Sequence, residues 1–565
     1  MVNKTGWESV IEALKTENVE YVYGLVGGGI DFWDELDKDG SMKPIHVRHE
    51  ASATFMAYAH GRLTGEPGIV FTSPGPGAAY MFPGFLEAWS ACIPMISPAP
   101  CPPLAHDGKG VLQEADMIGA FKTVTKWSFK VPVVENIPWA MQRAFSLAVN
   151  GRPGPVYLEI PMDVGPQKKD MPEYKPSVRP LKTRGDHNKI NEAVNLILKS
   201  ERPVIVAGGG VILSRAFNEL KEFSEYLGIP VATTASGRGS IPEDHPLSIG
   251  LTGLYRTKIG KEFYQSADLV ISIGSQFEEL ETQAWKMYPH NAKFLEINID
   301  SFEMGRNIMP DVAVVGDAKL ILADLLCGIK EKLAHGRLDS DRVKNLIKAK
   351  KDYESLIDEE CTDLSKPTKT RKVIRALSKL FGNNTILCNE NGMSDLWSYM
   401  CPYYKVLDVN DCIPPAEQTA MGLGVVGAIA AKMLLPEKNV LCVSGDGAFQ
   451  MFMKEMPTAV QYGAPVTWAI MNNGALNWSK YVQKYWFGGP VATDFIVAPD
   501  YVKIAEANKC YGERIENPND VEQAIENALQ ANKEGIPAAL DFVIDPEDRS
   551  EFFEEYHRLG FGSPK

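Results

Sequence analysis

Runs of apolar, β-branched residues alternate with segments of helical spacing three times along this chain of 565 residues. The first block closes near residue 180 with the strand-like segment GPVYLEIPMDV, and a linker rich in Pro, Lys and Arg follows it. The second block spans 190–330 and the third 370–565, with a charged helical connector at 328–372. This alternation predicts an α/β protein with three parallel-sheet domains.

Polar residues follow two apolar runs of the third block, in the segment GDGAFQMFMKEMPTAVQYGAPVTWAIMNN. Asp446 and Asn473 each end a predicted strand, and the carboxyl ends of parallel strands meet at one edge of a sheet. A carboxylate, an amide oxygen and a nearby backbone carbonyl suit Mg²⁺. Gly445 and Gly447 allow a phosphate to approach the backbone, and a helix beginning near Ala448 would direct its N-terminus at that anion. Each turn alone is ordinary, but their spacing of 27 residues across strand, helix and strand favours a magnesium–diphosphate site.

Two further residues indicate a function only in combination with that site. Glu50 opens the helical segment EASATFMAYAHGRLTG, where a glutamate in the first turn is by itself ordinary. Met421, in QTAMGLGVVGA, is by itself a core-filling residue. The glycines that follow it, Gly422 and Gly424, indicate a close approach of the backbone to another group.

Composition excludes several classes of protein. The net charge of −14 argues against nucleic acid as the main partner. The N-terminus lacks the pattern of a secretory signal, and no run of about 18 apolar residues predicts a membrane span. The nine cysteines form no CxxC pair, so we expect neither a disulfide framework nor a zinc site, and we expect a reducing, cytoplasmic location.

The GDG…NN pattern resembles the thiamine-diphosphate (ThDP) binding motif, and the resemblance extends over nearly the whole chain. It is greatest to the acetolactate synthase-like group, which includes oxalyl-CoA decarboxylase-like and 2-hydroxyacyl-CoA lyase enzymes. The resemblance implies a pyrimidine-binding domain at 1–180, a central Rossmann-like domain at 190–330 and a diphosphate-binding domain at 370–565. It also implies ThDP and Mg²⁺, with Asp446, Asn473 and the carbonyl of Ala475 as metal ligands. The family's active sites lie between subunits, so a homodimer or homotetramer is expected.

The resemblance assigns further cofactor contacts. Glu50 matches the glutamate that hydrogen-bonds N1′ of the aminopyrimidine, which favours the imino tautomer that removes the C2 proton. Met421 matches the bulky residue beneath the bend of the cofactor. Gly75 and Gly77, in SPGPGAAY, match a loop near the cofactor, although a tight turn before a helix explains them equally well.

Substrate contacts are also implied by the resemblance. Gln113 matches a glutamine near the reacting centre, Phe121 falls in the same region, and Gly28 lies in a loop that relatives place beside the thiazolium. Trp478 forms either a bulky substrate pocket or ordinary core. The chain lacks the adjacent His-His pair of pyruvate decarboxylase-like enzymes, and it lacks their glutamate after the asparagine pair. Simple decarboxylation to an aldehyde is therefore disfavoured.

The central block departs from true acetolactate synthases. Gln276 and Leu280 stand where those enzymes carry two arginines, which argues against FAD and against authentic acetolactate synthesis. Arg256 and Lys258, in LYRTKIGK, indicate either a solvated basic helix face or a site for the phosphates of ADP or CoA in the central domain. The tail DRSEFFEEYHRLGFGSPK is either a mobile end or a lid over a long substrate.

The sequence thus predicts a ThDP- and Mg²⁺-dependent lyase or carboligase of the acetolactate synthase-like type, acting on a 2-oxo acid. One alternative is a 2-hydroxyacyl-CoA lyase, which the missing arginines favour. Another is a non-catalytic regulatory subunit, which the intact Glu50, Asp446 and Asn473 oppose.

Overall fold

The computed structural model describes residues 1–289 and 291–558. These residues form three sheets of six parallel strands and one two-stranded antiparallel sheet. The predicted class, three parallel-sheet α/β domains, is confirmed. Each large sheet begins with a central strand, extends to one side, and then returns to build the other side. This reversal creates a crevice at the carboxyl ends of two neighbouring strands in every domain.

The first domain has the strand order β3-β2-β4-β5-β7-β6, with β1 and β8 paired outside it. The first helix begins at Gly6, because Thr5 and Glu8 form a reciprocal capping box that ends the short strand before it. Its strands are β1 (Val2–Thr5), β2 (Tyr21–Gly24), β3 (Lys43–His46), β4 (Gly68–Phe71), β5 (Met95–Cys101), β6 (Trp127–Lys130), β7 (Pro155–Pro161) and β8 (Lys168–Met171). Its helices are α1 (Gly6–Thr16), α2 (Ile30–Asp39), α3 (Glu50–Thr64), α4 (Pro76–Tyr80), α5 (Phe82–Ser90), α6 (Met117–Phe121) and α7 (Ile137–Val149).

The central domain has the strand order β11-β10-β9-β12-β13-β14. Its strands are fully or mostly buried apolar runs, as expected for a parallel sheet covered on both faces. They are β9 (Pro203–Ala207), β10 (Val231–Thr233), β11 (Ser248–Leu251), β12 (Leu269–Ile273), β13 (Lys293–Asn298) and β14 (Val312–Val315). The helices are α8 (His187–Lys199), α9 (Gly209–Ser214), α10 (Phe217–Leu227), α11 (Lys258–Gln265), α12 (Glu279–Thr282) and α13 (Ala318–Lys332).

The third domain has the strand order β16-β15-β17-β18-β20-β19. The predicted charged connector contains one long helix, α14 (Asp341–Glu360). The strands are β15 (Thr385–Asn389), β16 (Cys412–Ile413), β17 (Asn439–Gly445), β18 (Thr467–Asn472), β19 (Tyr511–Ile515) and β20 (Ala538–Val543). The remaining helices are α15 (Thr370–Phe381), α16 (Leu396–Tyr399), α17 (Leu423–Leu434), α18 (Asp446–Phe452), α19 (Met456–Gln461), α20 (Asn477–Trp486), α21 (Tyr501–Ala507), α22 (Val521–Lys533) and α23 (Glu551–Arg558).

The first and third domains pack through their most buried helices, α3 and α17. Small residues line both helices and allow close packing. A Cβ at Gly427 of α17 would lie 3.5 Å from the Cβ of Ala59 and 3.9 Å from the carbonyl oxygen of Phe55. The many alanines and glycines in these two segments therefore reflect a helix–helix interface inside the chain, and one hydrophobic cluster spans both domains.

A buried ion pair joins the central and third domains. Arg238 is bidentate to Glu243, with both nitrogen–oxygen distances 2.9 Å. The same guanidinium donates to the carbonyl oxygens of Ser398 and Tyr404. Neither side chain of the pair is exposed to more than 2%. Their charged groups therefore depend on these hydrogen bonds to offset the cost of burial.

No helix among residues 1–289 and 291–558 is long and apolar enough to cross a membrane. All nine cysteines carry free thiols, and six of them lie in the third domain and its connector.

We predict that Arg238→Met destabilises the protein by about 3–5 kcal/mol, because it leaves the Glu243 carboxylate buried without its partner. Urea unfolding followed by circular dichroism measures the change. The control is Lys348→Met, which removes an exposed pair with Asp352, and we expect a change of about 0.5 kcal/mol or less. Equal effects of the two substitutions would contradict this account of the domain contact.

Candidate active site

The two polar residues of the GDG…NN segment lie at one edge of the third sheet. Gly445 pairs with Met471 in the last rung of β17 and β18, so Asp446 and Asn473 leave adjacent strands at the same level. The Asp446 carboxylate accepts hydrogen bonds from the backbone N–H of Gly447, at 3.1 Å, and of Gly474, at 2.8 Å. The sequence spacing therefore corresponds to a single polar edge, as predicted.

Burial shapes the chemistry of this edge. Asp446 is only 1% exposed, and burial raises the pKa of its carboxyl to about 7. The Asn473 amide donates to the hydroxyl of Ser394 at 3.0 Å, while its oxygen accepts the N–H of Ala475. The amide orientation is thereby fixed. A cation beside a buried carboxyl of this kind favours its ionised form.

The sequence analysis missed two residues of the same crevice. Asp395 and Asn391 follow β15, the strand next to β17, and both are buried or nearly so. Neither oxygen of the Asp395 carboxylate, nor the amide nitrogen of Asn391, has a hydrogen-bond partner within the described part of the chain. Burial raises the pKa of Asp395 well above its usual range, and the nearby Glu390 and Asp446 add to that. The strand-end rule applied to the segment TILCNENGMSD would have found them.

This set of groups fits a polar ligand together with a cation. Buried polar atoms without partners indicate a missing hydrogen-bonding group. No cluster of three or more His, Cys, Asp or Glu side chains around a metal position occurs in residues 1–289 or 291–558. The predicted magnesium set contains only one such side chain, Asp446, with Asn473 and the carbonyl of Ala475, so it stays a prediction.

The glycines of the GDG turn differ in what they require. A Cβ at Gly447 would lie 2.7 Å from Cδ2 of Leu476, so a larger residue requires that side chain to move. A Cβ at Gly445 would meet only Oδ1 of Asp395, at 3.9 Å, which leaves room for a ligand there. The helix begins at Asp446, two residues before the predicted start at Ala448.

The first domain brings its predicted residues together around the carboxyl end of β4. Glu50 is the first residue of α3 and is 7% exposed. A Cβ at Gly77 would lie 3.2 Å from Oε1 of Glu50, and one at Gly75 would lie 2.7 Å from the carbonyl oxygen of Gln113. A Cβ at Gly28 would collide with the ring of Pro74 in the same loop. Burial raises the pKa of Glu50 above its usual range.

The glycines after Met421 are required by the protein itself. Gly422 has a φ of +98°, and a Cβ there would collide with the ring of Phe452. A Cβ at Gly424 would collide with the carbonyl oxygen of Asn389. The predicted close backbone approach is present, although its partners are protein groups. Met421 itself is partly exposed.

Two residues predicted to contact the substrate pack against aromatic side chains of the chain itself. Phe121 is fully buried and stacks on Tyr157 with ring centroids 4.1 Å apart. The structure therefore corrects this prediction, because core packing in the first domain leaves its ring no surface for a substrate. Trp478 is partly exposed on α20 and contacts Phe553 and His557 of α23. It belongs to an aromatic cluster beneath the C-terminal helix.

The basic segment of the central domain also serves that helix. Arg256 is buried, donates to Glu555 of α23 at 2.7 Å, and stacks over Phe552 at 4.3 Å. The prediction of a solvated face is therefore wrong for Arg256, and its guanidinium is engaged by a carboxylate. Lys258 is exposed. The predicted tail is helical at 551–558, and residues 559–565 lie outside the described residues.

A cavity of about 560 Å³ lies at the crevice of the central domain. Gly209 and Gly210 after β9, and Gly274 and Ser275 after β12, line one side, and the first domain closes the other. Gln276 faces it but is engaged by Arg152 and by the carbonyl of Ser90. A crevice at this point of a doubly wound sheet is where such domains bind nucleotides. The prediction of ADP or CoA there, and the argument against FAD, remain predictions.

Three family models of thiamine pyrophosphate enzymes match the chain. The N-terminal TPP binding domain matches residues 4–120, the central domain matches 190–325, and the C-terminal TPP binding domain matches 391–542. Together they include the Glu50 loop, the central cavity and the Asp446–Asn473 edge.

Several curated relatives are similar over almost the whole chain. A probable acetolactate synthase large subunit of Methanocaldococcus jannaschii is 33% identical, over 96% of this chain and 92% of the relative. The acetolactate synthase isozyme 3 large subunit of Escherichia coli K12 is 30% identical, over 96% and 95% respectively. An acetolactate synthase large subunit of Corynebacterium glutamicum is 32% identical, over 96% and 87%.

We predict that Gly77→Ala weakens ThDP binding by at least about tenfold, because the new methyl group would displace Ser73 and press on the Glu50 carboxylate. Isothermal titration calorimetry measures the affinity. The control is Gly489→Ala, whose Cβ meets nothing within 4 Å, and it should bind as the wild type does. Wild-type affinity in Gly77→Ala would show that this loop does not face the cofactor.

Proposed function

The chain belongs to the thiamine pyrophosphate enzymes and is a ThDP-dependent enzyme of carbon–carbon bonds, and from this premise we propose an acetolactate synthase-like carboligase that acts on a 2-oxo acid with Mg²⁺. The observation that carries the proposal is the full-length similarity, at 30–33% identity, to relatives named acetolactate synthase large subunit. The polar edge at Asp446 and the Glu50 loop supply the groups that such an enzyme needs.

In this proposal the third domain holds the diphosphate. Asp446, the Asn473 amide oxygen and the Ala475 carbonyl would hold Mg²⁺, which would supply positive charge to offset that of the diphosphate. The open space at Gly445 admits a phosphate to the backbone. Asp395 and Asn391 follow the neighbouring strand β15 and carry buried polar atoms without hydrogen-bond partners among the described residues. Buried donors and acceptors without protein partners are the support for a ligand here.

The first domain supplies the activating carboxyl. Bound ThDP supplies a carbon nucleophile and an electron sink. Glu50 would hold a hydrogen bond to N1′ of the aminopyrimidine, and its raised pKa suits a carboxyl that would share a proton with that nitrogen. Gln113 orients a substrate carbonyl or hydroxyl without exchanging a proton.

The active site is proposed to form between two copies of the chain. No hydrogen bond or ion pair joins Glu50 to Asp446 or Asn473 within the described residues. Large apolar side chains are exposed around both half-sites, as expected for surfaces that a second copy covers. They are Val26, Ile30, Tyr80 and Leu112 in the first domain, and Met451, Phe487, Val491, Ile496 and Val497 in the third.

A 2-hydroxyacyl-CoA lyase is the second candidate. Gln276 and Leu280 leave the central loop without the arginines that would hold the carboxylate of a second 2-oxo acid, and the loop instead carries Glu278, Glu279 and Glu281. Burial raises the pKa of Glu281 to about 8, so this carboxyl is largely neutral near pH 7. The cavity of the central domain is large enough to take the nucleotide end of CoA.

We predict that Glu50→Gln lowers turnover by at least about a hundredfold, while ThDP affinity changes little, because only the carboxyl can share a proton with N1′. Product NMR with pyruvate, and separately with a 2-hydroxyacyl-CoA, measures turnover and identifies the substrate class. Glu201→Gln, at a glutamate whose side chain is 85% exposed, is the matched control. Undiminished turnover in Glu50→Gln, with both substrates tried, would refute the mechanism.

We predict that Mg²⁺ affinity in the presence of ThDP rises with pH up to about 7 and then levels off. Burial raises the pKa of Asp446 to about 7, so below that pH a proton competes with the cation, and each unit costs about tenfold. Calorimetric titration from pH 5.5 to 8.5 measures this. The cofactor phosphates also contribute to this pH dependence of Mg²⁺ affinity. Asp446→Asn should remove the remaining contribution, whereas the exposed control Asp37→Asn should leave the pH dependence as it is in the wild type.

A further inference from the structure

Met421 lies in a strained segment, residues 414–425, which we name the Met421 loop. Thr419 has a φ of +51°, two residues before Met421, and Gly422 has a φ of +98°, directly after it. A positive φ in a β-branched residue such as threonine is an outlier that costs about 1–3 kcal/mol. Such a backbone persists only where surrounding contacts determine it, so the contacts of this loop require an explanation.

Two buried glutamates hold the backbone on both sides of Met421. Glu87, from α5 of the first domain, accepts the N–H groups of Ala416 and Ala420, the latter at 2.8 Å. Glu390, directly after β15 of the third domain, accepts the N–H groups of Gly422 and Val425, both at 3.0 Å. Both glutamates are 0% exposed. Carboxylates from two domains therefore fix the residues immediately before and after Met421.

Ordinary helix capping does not account for this arrangement. Helix α17 begins after Gly422, which has no side chain to cap it, and Glu390 satisfies the free N–H groups instead. A serine or asparagine at the cap position would satisfy them without a buried charge. Burial raises the pKa of both Glu87 and Glu390 to about 7, because the ionised carboxylate is costly to bury. Glu87 does not cap a helix at all.

We propose that Glu87 and Glu390 are positioning residues that fix Met421 beneath the bend of the cofactor, acting through the backbone N–H groups of its neighbours. The inference rests on the proposed role of Met421 as the support for bent ThDP. It predicts that each glutamine variant displaces Met421, because the new amide NH₂ faces a backbone N–H where an acceptor is required. It also predicts that cofactor geometry suffers more than cofactor affinity, since the diphosphate is held elsewhere.

The first experiment observes Met421 directly in the cofactor-free protein. Methyl-labelled methionines are recorded by NMR, and the Met421 signal is assigned by its loss in Met421→Leu. We expect Glu87→Gln and Glu390→Gln each to shift the Met421 signal, while the signal of Met171, buried in a separate cluster of the first domain, stays in place. Glu201→Gln is the control. An unchanged Met421 signal in both variants would overturn the proposal.

The second experiment uses the protein loaded with ThDP and Mg²⁺, and it compares cofactor affinity with the exchange rate of the cofactor C2 proton in deuterium oxide. We expect exchange to slow by about ten- to hundredfold, because small displacements of reacting groups have effects of that size. Affinity should change by less than about threefold. A parallel loss of both quantities would indicate a merely structural role and would overturn the proposal.

A double-mutant cycle completes the test. Met421→Leu combined with Glu390→Gln should slow exchange little more than the slower single variant, because both act through the same side chain. Additive effects would overturn the inference.

If Glu390→Gln does not fold, the cycle with Glu87→Gln decides the same question. If the wild type shows no ThDP binding or exchange, the proposed function fails, and the methyl signals of the cofactor-free protein still test the positioning.

Discussion

Buried carboxylates that accept backbone N–H groups are the interaction on which the arrangement of this protein depends. Glu87 and Glu390 bind the Met421 loop from the first and third domains, and Glu417 of the same loop accepts the N–H of Leu280 in the central domain at 3.0 Å. A buried carboxylate without donors is costly, so each contact is specific as well as attractive. The loop is therefore one place where all three domains meet, and its shape depends on their correct assembly.

The three parallel sheets share one architecture but have different residues at their crevices. Every domain opens a crevice at the carboxyl ends of its strands, where the strand order reverses. In the third domain that crevice gathers Asp395, Asp446 and Asn473. In the first it gathers Glu50, the Gly75–Gly77 turn and Gln113, and in the central domain it opens into a cavity of about 560 Å³. The proposed chemistry is thus divided between the first and third domains, while the central domain holds a separate cavity.

Two polar residues of the central domain form contacts within the chain. Gln276 is held by Arg152 and by the first domain, so its amide serves the contact between domains. Arg256 is paired with Glu555 and anchors the C-terminal helix over the aromatic residues Trp478 and Tyr481. The guanidinium of Arg256 is therefore engaged by a carboxylate of the same chain, whereas Lys258 is exposed.

The sequence by itself determined the fold class and the polar ends of β17 and β18. Local patterns suffice for these, because apolar periodicity and strand-end polar residues are encoded by near neighbours. Only the tertiary structure decided that Phe121 belongs to the core and that Arg256 is buried beneath α23. It also decided that Glu87, more than 300 positions before Met421, holds the same loop as Glu390. Such contacts depend on how distant segments pack, and a single sequence carries no local signal for which buried carboxylate will meet which free N–H group.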